Sequence, residues 1–365
     1  MARPVGFCLV LSICAAACGS SDGSSPDAGG SHGEIDAGVD GGGVVPAGER
    51  RFGVEVDEPD GFDHGEELAR AQEIGSSAVQ ITFPWKVLEP NEGERDLEFL
   101  TFALGYYRER GASVLLSVPT IDTVEKMFPA DLMELAMDDP VVIARLEDLL
   151  DDILAVAGDE LTHLVIGNEV DVYLAARPDA EWKAYGALVA AATEHVNESA
   201  PAIEVGLSVT FGGLGGARLG PLTEATDVRY VTYYFIGNEF GGAPAEDVPG
   251  DLAEMVAYAG DKPLVLKEYG YPTGEATGGS ESGQAEFIRE TFAAWDQHGD
   301  AVQLIMFSIM FDRTRTYCEE TAAYYGFPGD EAFIQFLCTL GLRTVEGEPK
   351  PGWDELAAQA ELRDF

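Results

Sequence analysis

From residue 51 onward the chain alternates between two hydrophobic rhythms. Short apolar and β-branched runs occur at RFGVEV (51–56), AVQITF (78–83), SVLLSV (113–118) and LTHLVIG (161–167). IEVGLSV (203–209), VRYVTYYF (228–235), KPLVLKE (262–268) and AVQLIMFSI (301–309) complete a set of eight. Between them lie longer segments such as DHGEELARAQEIG, LEFLTFALGYYRERG, PVVIARLEDLLDDILAVAG and EWKAYGALVAAATEHVNESA, with apolar residues at i, i+3 and i+4. Several of these close on glycine (Gly75, Gly111, Gly158), as helix C-termini prefer. Strands that alternate with helices pair in parallel through crossover connections. Eight such units predict a closed (β/α)8 barrel, the TIM-barrel form of the α/β class, over 51–365. An open doubly wound sheet is the rival architecture. No GxGxxG follows a strand, and GGLGG at 212–216 lacks the spacing that cradles a phosphate.

The first fifty residues break this pattern. Arg3 and the apolar stretch 5–17 are too short for a permanent membrane span and are expected to be a signal peptide, 1–18. The stretch ends Ala15-Ala16-Ala17-Cys18, which resembles a bacterial lipoprotein signal, with Ala15 where such signals usually carry leucine. That resemblance implies a lipid on Cys18 and export to the cell envelope; an ordinary secretory signal is the alternative. Residues 19–50 are mostly Gly, Ser, Ala and Asp without an aromatic, so they are expected to form a disordered tether.

Charge narrows the partners. With 65 acidic against 22 basic residues and a net charge of -43, the surface repels phosphate backbones and anionic lipid head groups. Nucleic acid is therefore not an expected partner, and contact with a membrane is expected only through the lipid. A neutral carbohydrate is not repelled. Of the five cysteines, Cys8, Cys14 and Cys18 fall within the leader. Cys318 and Cys338 remain, either a disulfide formed in an oxidising compartment or two separate thiols. No Cys/His spacing suggests zinc, and neither metal nor cofactor is expected. The chain is expected to act as a monomer.

In barrels of this kind chemistry gathers at the C-terminal strand ends. The fourth strand runs into LVIGNEVDVY, with Asn168 and Glu169, and the seventh into LVLKEYGYPTG, with Glu268. Alternation would put Val165, Gly167 and Glu169 on one face, and Leu264, Leu266 and Glu268 on one face. A carboxylate continuing an apolar row is costly unless it has a role. Two carboxyls converging across one barrel mouth are what glycosidic cleavage needs.

GNEV at a strand end, with KEYGYP later, resembles glycoside hydrolase clan A, in motif closest to the family 17 β-1,3-glucanases and the family 53 galactanases. WKVLEPNEGERDLEFL and GLRTVEGEPKPGW extend the likeness over most of the chain after residue 51. The resemblance implies a retaining hydrolysis of β-glycosidic bonds, with Glu169 as acid/base, Glu268 as nucleophile and Asn168 bound to the sugar 2-hydroxyl. It also implies that Tyr233 or Tyr234 hydrogen-bonds the nucleophile, with Tyr233 slightly favoured. Trp85 and Tyr269 are candidate sugar contacts, as are Tyr271 and Asp312. Phe307 and Phe311 lie where clan A barrels often carry a tryptophan. Ile236-Gly237-Asn238-Glu239 repeats the GNE letters after strand six and is a weaker candidate for the acid. A carbohydrate-binding lipoprotein without catalysis is the alternative function.

Overall fold

The computed structural model describes residues 44–234 and 244–365. Strands β1 (Arg51–Val54), β2 (Ala78–Thr82), β3 (Ser113–Ser117) and β4 (Leu161–Val165) pair in parallel, each with the next. Strand β5 has two segments, Glu204–Gly206 and Ser208–Thr210, broken at Leu207. The first segment pairs with β4 and the second with β6 (Arg229–Tyr234). β6 then pairs with β7 (Leu264–Gly270), β7 with β8 (Val302–Phe307), and β8 with β1. Every strand thus has two parallel neighbours, and the ring closes through the break in β5. This is a (β/α)8 barrel.

Alternation along the strands sorts the core into two shells. Ala78, Leu115, Val165, Tyr230, Val265, Leu304 and Met306 form one buried cluster, the barrel interior. Their neighbours in sequence, including Val79, Leu116, Leu164, Val231, Leu266 and Ile305, belong to the large cluster beneath the helices. Gly53 takes the interior position on β1 because a Cβ there would lie 2.4 Å from the Ala78 carbonyl and 2.5 Å from the Met306 thioether. Several helices start where a side chain satisfies a free amide: Asp63 accepts from Glu66 N–H ahead of His64–Glu73, and Asp139 from Val141 N–H ahead of Pro140–Val156.

After β8 two helices, Arg315–Tyr324 and Glu331–Cys338, form a smaller apolar cluster on Tyr234 and Ile309. Cys318 and Cys338 are joined as a disulfide with their Cα atoms 5.7 Å apart. Closing a twenty-residue separation removes unfolded-state entropy worth about 3 kcal/mol. Cys318→Ser with Cys338→Ser is therefore expected to lower Tm by about 5–10 °C, measured by calorimetry. An unchanged Tm would show that the bridge adds nothing to the two helices' packing.

Candidate active site

Glu169 owes its position to a backbone turn. β4 ends at Val165, and the chain continues beside Ile121–Asp122, with Asn168 N–H donating to the Ile121 carbonyl at 2.8 Å. Gly167 does not face the barrel interior: a Cβ there would sit 2.0 Å from the Tyr185 hydroxyl of the surrounding helix layer. The expected row of Val165, Gly167 and Glu169 is therefore corrected. Glu169 instead adopts φ 44°, ψ 45°, a left-handed conformation that a residue with a Cβ rarely takes, as the cap of helix Val170–Ala175. Its N–H donates to Ser208 Oγ at 3.1 Å. The side chain turns inward, where Thr123 Oγ1 donates to Oε2 at 2.9 Å and Thr232 Oγ1 to Oε1 at 2.6 Å.

Glu268 arrives by a different route. Val265 lies in the barrel interior, whereas Leu264 and Leu266 lie beneath the helices, so strict alternation would send Lys267 inward and Glu268 outward. The ladder shifts register between Leu266 and Glu268 against β6, a β-bulge. Both side chains enter the site as a result. Lys267 Nζ lies 2.6 Å from Glu268 Oε1 and 2.8 Å from Asn168 Oδ1, and Tyr234 donates its hydroxyl to Glu268 Oε2 at 2.8 Å. Asn168 accepts a further bond from Ser208 Oγ and donates to Asp122 Oδ1 at 3.1 Å. One hydrogen-bonded chain thus runs Asp122–Asn168–Lys267–Glu268–Tyr234.

This setting separates the two carboxyls electrostatically. Burial, then the negative charge of Glu268, pushes the Glu169 carboxyl up to about 8, against the pull of the two threonine hydroxyls. At neutral pH Glu169 therefore holds a proton. Either threonine hydroxyl can rotate from donor to acceptor, so both protonation states keep their partners. A third carboxyl, Glu55, follows β1 and accepts from Ser308 Oγ at 3.3 Å. Burial and Glu268 push it up to about 7, opposed by Arg313 and Lys267. Burial and Glu268 also hold the Tyr234 phenol well above its usual range, a neutral donor at working pH. Among the described residues no group of three or more His, Cys, Asp or Glu is arranged to hold a metal ion.

A proton-bearing carboxyl and a second carboxyl tied to a lysine and a tyrosine thus share the C-terminal mouth of a parallel barrel. Solved structures of similar fold are carbohydrate enzymes. A GH5_18 protein from Streptomyces cattleya, in complex with GlcNAc, aligns with TM-score 0.66 and 19% identity over 87% of this chain and 80% of that one. The exo-beta-1,4-mannosidase Op5Man5 of an Opitutaceae bacterium gives 0.64 and 18% over 90% of this chain and 62% of that one. A family 39 glycoside hydrolase from Bacteroides cellulosilyticus gives 0.61 and 16% over 87% and 64%. At such identities the likeness establishes the barrel. Comparison with family models and with curated proteins gives no match.

Several expected sugar contacts lie elsewhere. On β6, Tyr230 and Thr232 face inward, which puts Tyr234 in the site and Tyr233 outside it. Tyr233 stacks on Tyr269 at 5.1 Å and donates to Asp251 Oδ2, beneath a helix. Tyr269 is fully buried there, bonded to Thr291 and stacked on Phe287 at 4.9 Å. Trp85 is likewise a packing anchor: its indole N–H donates to buried Glu89, and its ring meets Phe128 at 5.0 Å. Phe307 packs outward on Phe52 and Phe292, and Phe311 packs on Phe62. The inward position after Met306 is Ser308, so no β8 aromatic reaches the carboxyls. Asp312 pairs with Lys350 at 2.6 Å and Tyr271 is buried against Phe287. Cys18 and Glu239 lie outside the described residues.

Thr123, Thr232, Ser208, Glu55 and Lys267 were not singled out by the sequence. Period-two counting from Tyr230 would have found Thr232 and Tyr234; nothing in the letters marks the bulge that turns Lys267 and Glu268 together. Tyr234→Phe is expected to lower kcat/KM by about tenfold, since one neutral hydrogen bond to a charged group is worth about 1.5 kcal/mol or more. Tyr233→Phe, on the outer side, is expected to leave kcat/KM within about twofold, and steady-state kinetics on the two variants compares the faces.

Proposed function

We propose that the protein is a retaining glycoside hydrolase acting on a β-linked oligo- or polysaccharide, with Glu169 as acid/base and Glu268 as nucleophile. The observation that carries this reading is the different setting of the two carboxyls at the ends of β4 and β7. Glu169 is raised to about 8 and so keeps its proton, while Glu268 is paired with Lys267. Glu169 gives its proton to the glycosidic oxygen as Glu268 attacks the anomeric carbon. The C–O bond breaks, the first sugar leaves as an alcohol, and an ester joins the second to Glu268. With the charge of Glu268 consumed, Glu169 becomes the stronger acid and stays ionised. It then takes a proton from water, whose oxygen attacks the anomeric carbon and releases Glu268. The similar fold of an exo-beta-1,4-mannosidase makes β-mannosides a first choice of substrate. The same reading has the enzyme exported and held at the envelope by lipid on Cys18.

A second reading, carbohydrate binding without cleavage, is favoured by β8, where Phe307 packs outward on Phe52 and Phe292 and Ser308 takes the inward position, so no β8 aromatic reaches the carboxyls. A hydrolysis screen over β-linked mannans, glucans, galactans and xylans separates the two. Release of reducing sugar supports the hydrolase; saturable binding with no release after long incubation supports the binder.

A further inference from the structure

Lys267 is an unexpected presence in this site. The residue is 1% exposed, and the bulge in β7 brings the carboxyl that follows it in sequence into the same site. Removing a charge of either sign from water is expensive, and a lone buried ammonium would not persist beside apolar neighbours. Here the ammonium has two partners, Glu268 Oε1 and Asn168 Oδ1. The surrounding groups are otherwise acidic. Glu169 faces the pair from the end of β4, Glu55 from the end of β1, and Asp122 lies behind Asn168. Tyr234 contributes a neutral hydroxyl from β6, and Arg313, a second cation that acts on Glu55, pairs with Asp57. Without Lys267, the carboxylate would sit buried near two further carboxyls and without its ion-pair partner.

We propose that Lys267 is a positioning residue that keeps Glu268 charged and aimed, and that fixes the Asn168 amide through the same ammonium. Its role in turnover rests on the hydrolase reading above; its role as counterion does not. Lys267 holds one carboxylate oxygen and the Tyr234 hydroxyl holds the other, which restrains rotation of the carboxylate. The Asn168 carbonyl oxygen is held by Lys267 and Ser208, and its NH2 group donates to Asp122. When Glu268 forms an ester its charge is lost, and the ammonium keeps Asn168 as partner.

The test combines stability and rate. Melting of Lys267→Met is compared with wild type and with the double variant Lys267→Met/Glu268→Gln from pH 5 to 9. The single variant is expected to melt lower, by a margin that widens as pH rises, and the double variant is expected to recover most of the loss at pH 8. A margin equal at every pH, or a double variant no more stable than the single one, would overturn the proposal. Should Lys267→Met fail to fold, folding of the double variant supports the counterion role, and its failure refutes it. With 4-nitrophenyl β-mannoside, the low-pH limb of kcat/KM is expected to move up by about one pH unit in Lys267→Met and to stay near wild type in Lys267→Arg. An unmoved limb refutes the role in turnover. Absence of hydrolysis by the wild type counts against the hydrolase reading, while the melting comparison still decides the counterion role.

Discussion

Glu268→Ala is expected to lower kcat by about 10⁴-fold or more on any substrate the wild type cleaves, because the proposed covalent step loses its nucleophile. The shape of the loss matters as much as its size. Truncation opens a small space between Lys267 and Tyr234, the two groups that hold the carboxylate in the intact protein. A small anion such as azide, attracted by the ammonium, can enter that space and attack the anomeric carbon from the face Glu268 used. Glu268→Ala in concentrated azide is then expected to form the α-glycosyl azide from an activated β-glycoside, identified by NMR. Near-wild-type hydrolysis in Glu268→Ala would remove the residue from the mechanism. Circular dichroism on the same sample checks that the variant has folded.

Glu169→Gln carries the second large effect. Losing the general acid is expected to lower kcat/KM by about 10²–10⁴-fold for substrates with poor leaving groups, and by much less for aryl glycosides whose leaving group needs no proton. In the wild type kcat/KM is expected to fall as pH rises through about 8, where Glu169 gives up its proton, and the limb should vanish in Glu169→Gln. The same raised value has a consequence for folding. In the unfolded chain Glu169 ionises near 4.5, whereas in the folded protein it stays protonated to about 8. Its contribution to stability is therefore fully present below about 4.5 and is lost progressively as pH rises to about 8. Glutamine cannot ionise, so Glu169→Gln is expected to melt higher than wild type at pH 8 and to match it near pH 4. Thermal melts at the two pH values measure the difference, and equal melts at both would mean that Glu169 is ionised in the folded protein at neutral pH.

These two residues also mark how far the sequence could be read. Eight apolar runs were enough for the barrel, because parallel strands buried on both faces leave a continuous signal. The break at Leu207 was hidden, since IEVGLSV reads as one strand although its two halves pair with different neighbours. GNEV and KEYGYP located Glu169 and Glu268, yet neither residue arrives as strand alternation suggested. One needs a left-handed turn and the other a bulge. Both are backbone irregularities fixed by tertiary contacts, among them the Glu169 N–H to Ser208 bond across thirty-nine residues. The aromatic candidates fared differently. Trp85, Tyr233 and Tyr269 have the amphipathic chemistry that suits sugar stacking, but the same chemistry suits a buried ring with one polar partner, and Glu89, Asp251 and Thr291 supply those partners.

A covalent intermediate on Glu268 is the most direct measure of the mechanism. Incubation with an activated 2-deoxy-2-fluoro β-glycoside slows breakdown of the ester more than its formation, so the sugar should accumulate on the protein. Digestion and mass spectrometry are expected to place one fluoroglycosyl group on the peptide containing Lys267-Glu268-Tyr269. A label on another carboxylate, such as Glu55 or Glu239, or full hydrolytic turnover with release of the α-anomer from a β-linked substrate, would contradict the account.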